Sequence, residues 1–398
     1  MTSSVHSLKS ALEEKDDKDP LIAIQARVVT TTINHNNPIT SSSSSASSSL
    51  SILVPSSYIQ YCLCPTLIQG KIACYHAQDI SFYKRELHKS HDDTSPLLTI
   101  WIICREIKPL YSQKRFFECA WQRKIQVRLM EMNKFECVMA ASSHNQENDT
   151  CLLYEGKKCE EWPQVVIPRM GSKITHFGLA LIRFFESVNE NKPFILNESR
   201  GIEIAKDKFV TMQKLTAHNI SIPKTMLLSL PLNIERVNQQ FEYPLILKKV
   251  SGSQGKGVML IQDRVHLADL VEMVDPNAPM LLQEFIKTSM GVDIRVLVLG
   301  ERVIGAIKRL AKEGFKANYH QGGSVEPFEV TPVIEKLAVS AVKACGLVFA
   351  GVDILIGDSE ESYRVCEVNY SPGFEGFELA TGIDVANEVI SYCTKFVQ

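Results

Sequence analysis

Three oxygen-bearing side chains near the C-terminus have the types and spacing that a hard divalent cation requires. Asp353 lies in the apolar run 351–355, and Glu367 and Asn369 lie in a second run, 365–369. Residues two apart in a strand point to the same face, so Glu367 and Asn369 would face the same way. Carboxylate and amide oxygens suit Mg²⁺ or Mn²⁺ bridged to nucleotide phosphates rather than zinc. We therefore predict a metal site here, the alternative being an ordinary solvated strand end.

A glycine-rich run earlier in the chain has the composition of a phosphate-binding flap. It covers residues 251–257 and connects the apolar runs 245–247 and 258–261, a pattern typical of a β-hairpin. Glycines let the backbone approach an anion and turn N–H groups towards it, and Lys248 at the base would add a positive charge. A plain turn is the alternative. The run is not a Walker A loop, because no Gly-Lys-Ser/Thr ends it and a strand follows.

Further polar residues could complete a nucleotide site. Glu284 ends a short apolar strand, where backbone groups of the next residues would bond an adenine wedged between apolar side chains. The runs 293–295 and 307–309 then place charges on successive strands, and the polar loop 314–323 follows them. Lys208 opens a helix, where a solvated lysine is the default interpretation.

The elements that would position these residues alternate between strand and helix, which indicates a parallel α/β layer in the first part of the chain. Its strands are predicted at 97–103, 126–129 and 164–167, and its helices at 112–123 and 176–188. Further helices are predicted at 206–217, 332–344 and 384–397, and a strand at 280–284. Residues 1–96 are expected to form a disordered extension, because their serine-rich sequence cannot bury enough apolar surface to offset chain entropy.

Composition excludes some classes of partner. The formal net charge of the 398 residues is −2, which gives no electrostatic reason to expect binding to nucleic acid or to an anionic membrane. No apolar run approaches the roughly 20 residues that span a bilayer. The 11 cysteines show no paired zinc-site spacing and are interpreted as reduced thiols of a cytoplasmic protein. The acidic N-terminus is unlike a mitochondrial or secretory signal.

Ten short motifs follow one another from about Leu98 to Gln398: VIPRMG (166–171), LNES (196–199), DK (207–208), GSQGKGV (252–258), QEFIK (283–287), GVDIRVLV (291–298), AKEG (311–314), AGVDIL (350–355), EVNYSPGFEG (367–376) and TGID (381–384). On these motifs the chain resembles the RimK-type ATP-grasp ligases, the α-L-glutamate ligase family. Because so many motifs occur in the right order, the match is highly specific.

The resemblance implies a fold and a division into domains. A pre-ATP-grasp α/β domain would occupy residues 97–195, followed by a two-lobed α+β ATP-grasp fold over residues 196–398. The smaller lobe, about residues 224–284, would carry the glycine flap.

The resemblance also implies roles for the candidate residues. The ATP-binding set would be Lys208, Lys248, Gly252, Ser253, Gln254, Gly255, Gly257, Glu284, Phe285, Asp293, Lys316, Ala317 and Asn318. Two ions, Mg²⁺ or Mn²⁺, would be held by Asp353, Glu367 and Asn369. Arg309, with Arg295 as a weaker second, would steady an acylphosphate or its tetrahedral adduct. For Arg295 the alternative is a structural ion pair with a neighbour such as Asp293.

Two departures from the family pattern bear on the acceptor. The loop after Gly314 is one residue shorter than the family's usual KEGDFRSN, and Gln321 stands where an arginine commonly precedes two glycines. Both lie near the expected acceptor side, so they affect the choice of acceptor more than the ATP chemistry.

The expected reaction is carboxylate–amine ligation through an acylphosphate, with ATP converted to ADP and phosphate. The expected partners are glutamate or a similar amino acid and a carboxylate acceptor, such as the C-terminus of a protein, a ribosomal protein among them. Alternatives are a dipeptide-type synthetase acting on a small acid, an amino-acid-carrier ligase, and an ATP-binding regulator without catalysis. Assembly of the protein into a homo-oligomer is a further option that the sequence leaves open. No covalent enzyme intermediate is needed, so Cys345 and Cys366 are expected in the core.

Overall fold

The computed structural model describes residues 21–28, 48–55 and 98–397, with short gaps at 109, 124, 140–149, 189–190, 253–256, 276, 318–321 and 360–361. The chain divides into two compact units, residues 1–78 and residues 79–398.

The first unit contains two antiparallel strands, β1 (Leu21–Val28) and β2 (Ser48–Pro55). Ile24 and Ile52 are partners in their register. The disordered extension predicted for residues 1–96 stays a prediction, and within that range the structure describes these two strands. The rest of that range lies outside the described residues.

The second unit begins with a parallel sheet. Its elements, in chain order, are β3 (Thr99–Cys104), α1 (Tyr111–Gln122), β4 (Gln126–Glu131), β5 (Phe135–Val138), β6 (Cys151–Tyr154), β7 (Lys157–Lys158), β8 (Val165–Pro168), α2 (His176–Ser187) and β9 (Phe194–Ile195). Strands β4, β3, β8 and β9 pair in that order and all run parallel, while β5, β6 and β7 form a small antiparallel sheet. The predicted parallel α/β layer is therefore confirmed.

Two antiparallel sheets follow the parallel one. Their elements, with the helices between them, are α3 (Ser199–Lys206), α4 (Lys208–Ala217), β10 (Thr225–Leu227), α5 (Ile234–Gln240), β11 (Leu245–Lys249), β12 (Val258–Ile261), α6 (Arg264–Met273), β13 (Met280–Glu284), β14 (Val292–Leu299), β15 (Arg302–Leu310), β16 (Ser324–Phe328), α7 (Pro332–Ala344), β17 (Phe349–Leu355), β18 (Arg364–Asn369), α8 (Glu375–Thr381) and α9 (Val385–Thr394). The strand orders are β10–β13–β11–β12 and β16–β15–β14–β17–β18.

The four-stranded sheet carries the glycine-rich hairpin. Strands β11 and β12 are antiparallel neighbours, with Lys248 opposite Val258, so the predicted hairpin is confirmed. The sheet buries one face against α5 and α6, which contribute Val237 and Leu267 to its core. Gly257, at the end of the flap, has φ +73°, a conformation that L side chains rarely adopt, so glycine suits the tight return into β12.

The five-stranded sheet lies between two cores. One face packs its apolar residues against α7, whose Ile334 and Ala338 are fully buried. On the other face, Leu297 and Phe349 join a core shared with the parallel sheet and with α9. This second face also carries a row of charged side chains and Asn369, which form the candidate site.

No helix in the described part of the chain is both long enough and apolar enough to cross a membrane.

Candidate functional site

A row of charged residues crosses the five-stranded sheet along a single face. In the strand registers Arg309 of β15 is the partner of Asp293 of β14, and Arg295 of β14 is the partner of Asp353 of β17. Asp353 is in turn the partner of Glu367 of β18. Register partners of antiparallel strands project to the same face, so opposite charges alternate across β15, β14 and β17.

The two arginines and two aspartates of this row form one buried network. Arg309 donates to Asp293 from Nε and Nη2, both at 2.6 Å, and its Nη2 lies 2.8 Å from Asp353 Oδ2. Arg295 donates to the two oxygens of Asp353 at 2.7 and 2.6 Å. Arg295 thus forms an ion pair, as its alternative interpretation held, but the partner is Asp353 and not Asp293: β17 lies beside β14, and Asp293 pairs with Arg309.

Burial and charge act differently on the two aspartates. Burial disfavours the charged form of Asp353, but Arg295 and Arg309 outweigh it and lower the pKa of this carboxyl to about 2. For Asp293, burial is the larger effect and raises the pKa to about 6, although Arg309 opposes it. Asp353 is therefore ionised at neutral pH, as a cation ligand must be.

The three candidate metal ligands lie on adjacent strands of this face. Asp353 and Glu367 are register partners, and Asn369 is the partner of Gly351, two residues from Asp353. Among the described residues, no group of three or more His, Cys, Asp or Glu side chains is arranged to hold a metal, and the third candidate donor is the amide oxygen of Asn369. Asn369 Oδ1 accepts a hydrogen bond from Ser371 N at 3.0 Å, which orients it. Two carboxylates and an amide form the all-oxygen set that fits Mg²⁺.

Lys208 connects this row to the base of the flap. Its Nζ donates to Gly252 O at 2.8 Å and lies 3.3 Å from Glu367 Oε1. Asp207 caps helix α4 by accepting hydrogen bonds from two backbone N–H groups of its first turn, which fixes Lys208 at the first helical position. The backbone N–H of Lys208 also donates to Val250 O at 3.1 Å. Lys208 is buried, so the default interpretation as a solvated helix lysine was wrong.

Lys248 is held by a residue that sequence reasoning missed. Its Nζ donates to Gln283 Oε1 at 2.7 Å, and Gln283 Nε2 donates to Thr225 Oγ1 at 2.7 Å. Lys248 and Gln283 are both buried in the four-stranded sheet. The available signal was an amide residue within the otherwise apolar strand β13, beside Glu284.

The proposed adenine segment lies at the end of β13. The backbone N–H of Glu284 donates to Lys224 O, and the side-chain Oε1 of Glu284 accepts a hydrogen bond from Lys224 N. These two bonds hold the end of the strand in place. The ring of Phe285 is 6.4 Å from that of Phe315, and Lys316 Nζ lies 5.4 Å from the Phe315 ring centroid. The loop that carries Lys316 and Ala317 is thus brought against Phe285. Of the other predicted ATP-binding residues, Ser253, Gln254, Gly255 and Asn318 lie outside the described residues.

The two cysteines differ in burial. Cys345 is fully buried, as expected. Cys366, which precedes the metal candidate Glu367, is only partly buried, so its expected place in the core was wrong. Burial raises the pKa of the Cys366 thiol, with Lys248 opposing this effect. A raised pKa leaves less of the nucleophilic thiolate at neutral pH.

Comparison with known families identifies the fold. A RimK pre-ATP-grasp domain matches residues 98–202, and a RimK-like ATP-grasp domain matches residues 205–393. The chain belongs to the RimK family of ATP-grasp proteins. The resemblance drawn from the motifs is thereby confirmed, as is the predicted enzyme class, an ATP-dependent ligase.

Curated relatives match almost their whole length. The chain is 38% identical over 304 residues to the probable alpha-L-glutamate ligase of Maridesulfovibrio salexigens, covering 76% of this chain and 97% of that protein. It is 38% identical over 289 residues to the protein of the same name from Halorhodospira halophila, covering 72% and 92%.

Solved structures share the fold at low sequence identity. The ATP-grasp ligase PsnB, complexed with precursor peptide PsnA2 and AMPPNP, has a TM-score of 0.58 at 18% identity, over 78% of this chain and 100% of that chain. The D-alanine–D-alanine ligase of Bacillus anthracis complexed with ATP has a TM-score of 0.52 at 15% identity, over 75% and 97%. The predicted fold class, a pre-ATP-grasp α/β domain followed by an ATP-grasp fold, is confirmed.

Proposed function

We propose that this protein uses ATP to add L-glutamate to the C-terminal carboxylate of a protein or peptide. The observation that carries the proposal is the position of Lys208, which contacts both the flap base at Gly252 and the carboxylate of Glu367. A phosphate chain lying at this junction would meet the flap, a lysine and oxygen ligands for a cation together. The alpha-L-glutamate ligase name of the relatives supports glutamate as the amino acid.

In the proposed reaction an oxygen of the acceptor carboxylate attacks the γ-phosphorus of ATP, and ADP leaves. The amino group of glutamate then attacks the acyl carbon of the acylphosphate. The new C–N bond forms as phosphate departs with the oxygen that attacked it, and the amine loses its proton to solvent. No side chain of the enzyme forms a covalent bond, which agrees with the raised pKa of Cys366.

The ATP site of the proposal spans the two antiparallel sheets. Lys208 and Lys248 would orient the phosphates beneath the flap, with Gly252 and Gly257 at its two ends. The remaining proposed contacts are Ser253, Gln254, Gly255, Glu284, Phe285, Asp293, Lys316, Ala317 and Asn318. Peptide-bound and nucleotide-bound PsnB supports a peptide acceptor and an adenine nucleotide in this fold.

Asp353, Glu367 and Asn369 are the residues that would hold Mg²⁺, and Mn²⁺ and a two-ion arrangement are part of the same proposal. Bound there, the cation would neutralise charge that develops on the β- and γ-phosphates. Arg309 is the proposed catalytic group for the acylphosphate, since two parallel hydrogen bonds to Asp293 fix the orientation of its guanidinium. Arg295 is the weaker candidate, because a structural ion pair was its alternative interpretation and it forms such a pair with Asp353.

The test is phosphate release from the purified protein with ATP, Mg²⁺ and glutamate, in the presence of candidate acceptors whose products are measured by mass. We expect a ladder of added glutamates on a protein or peptide C-terminus. A single product on a small acid would instead assign a dipeptide-type synthetase. Absence of phosphate release with every acceptor, despite ATP binding, would contradict the proposal.

A further inference from the structure

Arg169 is a partly buried cation with no acidic partner in the described part of the chain. It follows β8, and its Nη2 donates to Pro372 O at 2.8 Å. Its Nη1 is buried without a hydrogen-bond partner, and no carboxylate among the described residues forms an ion pair with it. Buried charges in proteins are normally paired, so the free donor points to a ligand.

Two aromatic rings hold the guanidinium in place. Its central carbon lies 5.9 Å from the ring centroid of Phe116 and 5.8 Å from that of Phe374. These cation–π contacts fix the group without neutralising its charge. Burial lowers the pKa of Arg169 to about 10, which still leaves it charged at neutral pH.

The position of Arg169 places this cation next to the charged row. Pro372, which accepts its hydrogen bond, comes three residues after Asn369. A Cβ added at Gly351 would lie 3.0 Å from Pro372 Cβ and 3.7 Å from Arg295 Nε, so Pro372 and Arg295 both pack against Gly351. Arg169 therefore reaches the site from the pre-ATP-grasp side, whereas Lys208 reaches it from the flap side.

A second buried polar group without a partner lies on the helix that carries Phe116. Gln113 is 1% exposed, and among the described residues neither its amide nitrogen nor its amide oxygen has a hydrogen-bond partner. Residues three apart on a helix share a side, so Gln113 lies on the side of α1 that bears Phe116. The amide of Gln113 and the free Nη1 of Arg169 are both groups that a small polar ligand would satisfy.

We propose that Arg169 binds a non-reacting carboxylate of the incoming glutamate. This inference rests on the proposed function for the identity of the amino acid. A guanidinium matches a carboxylate with two parallel N–H donors, and a carboxylate would also compensate the buried charge. ATP is not the ligand expected here, because the lysines of its proposed phosphate site lie on the flap side. With its carboxylate on Arg169, glutamate would be held with its amine on the acceptor side of the charged row.

The test is calorimetric titration of glutamate into the full chain loaded with AMPPNP and Mg²⁺. Arg169→Met keeps the aliphatic stem against Phe116 and Phe374 but removes the charge, and it should weaken glutamate binding about 10- to 100-fold. Arg169→Lys keeps a charge without the planar fork and should fall between Arg169→Met and the wild type. The matched control is Arg183→Met, since Arg183 is an exposed arginine paired with Glu203, and it should bind glutamate normally.

Two further measurements separate binding from a merely structural role. The affinity for AMPPNP should be unchanged in Arg169→Lys and Arg169→Met. Glutamine lacks the side-chain carboxylate of glutamate, and glutamate α-amide lacks its α-carboxylate. Whichever of the two lacks the carboxylate that Arg169 binds should bind the wild-type protein weakly. Its affinity should fall little further in Arg169→Met. Unchanged glutamate affinity in both variants, or an effect confined to a peptide acceptor, would overturn the proposal.

The outcome is distinct from that of the proposed function. A wild-type protein that binds glutamate through Arg169 but releases no phosphate would refute the ligase reaction and uphold this inference. If the wild-type protein is an active ligase but its glutamate affinity does not depend on Arg169, the ligase reaction is upheld and this inference is refuted. If the loaded wild-type protein binds no glutamate at all, the inference fails.

Discussion

Replacing Glu367 with Gln separates the proposed metal site from the stability of the fold. The substitution keeps the shape of the side chain and one neutral oxygen but removes the negative charge opposite Asp353. The only ion pair recorded for Glu367 among the described residues is with Lys208 at 3.3 Å, and the side chain of Glu367 is 33% exposed. The structural role of the carboxylate is therefore small.

The magnitudes follow from this geometry. A partly exposed ion pair contributes about 1 kcal/mol or less to the free energy of unfolding, so the Tm should fall by only about 2–4 °C. A bound divalent cation stabilises transition-state charge by several kcal/mol, and each 1.36 kcal/mol corresponds to about a tenfold change in rate. Weakening its binding should therefore reduce phosphate release about 100-fold or more at fixed Mg²⁺.

The assay is ATP- and glutamate-dependent phosphate release, measured over a Mg²⁺ titration, together with thermal unfolding. The matched control is Glu326→Gln, which removes a comparable ion pair, Lys308–Glu326 at 3.1 Å, from an edge strand of the same sheet. The control should keep normal activity and a normal Mg²⁺ dependence. Activity of Glu367→Gln within tenfold of the wild type, with the same Mg²⁺ midpoint, would refute the assignment of Glu367 as a metal ligand.

Three other substitutions test separate parts of the structure. Lys208→Met should weaken ATP binding about 10- to 100-fold in an equilibrium titration, because a buried charged donor to the phosphates is lost. Cys366→Ser should leave turnover within about threefold, since the thiol takes no part in the reaction and its exposed part tolerates a hydroxyl. Glu378→Ala should lower the free energy of unfolding by about 3 kcal/mol in urea titrations, because buried Glu378 accepts hydrogen bonds from Tyr111 and Arg115.

Each of these has its own contrary outcome. Normal ATP affinity in Lys208→Met would show that its contact with Gly252 is purely structural. Complete loss of turnover in Cys366→Ser would count against a reaction without an enzyme-bound intermediate. Glu203→Ala, which removes the exposed Arg183–Glu203 pair, is the control for Glu378→Ala and should cost less than about 1 kcal/mol. Equal losses from the two substitutions would contradict the role given to burial.

What the sequence could predict depended on local pattern. The hairpin of β11 and β12 and the long helix α7 were predictable, because apolar period and glycine content are properties of a short segment. Glu367 and Asn369 could be placed on one face because they lie two residues apart in a predicted strand. Asp353 joined them because it lies in a neighbouring apolar run with an oxygen ligand at a matching position, whereas only the sheet reveals its register with Glu367.

What the sequence missed depended on contacts between distant segments. Gln283 holds Lys248, and Pro372 holds Arg169, across separations that no spacing rule reveals. The partner of Arg295 was misjudged because strand order, and not chain order, decides which carboxylate opposes it. The domain boundary near residue 196 and the roles of individual residues in binding and catalysis stay predictions.

The central claim, an acylphosphate intermediate, is tested most directly by isotope transfer. An acceptor labelled with ¹⁸O in its reacting carboxylate is incubated with the wild-type protein, ATP, Mg²⁺ and glutamate, and the released phosphate is analysed by mass. We predict that the phosphate released in the first addition carries one labelled oxygen from the acceptor and that ADP is the nucleotide product. Unlabelled phosphate from the first addition, or AMP and pyrophosphate in place of ADP, would contradict the account.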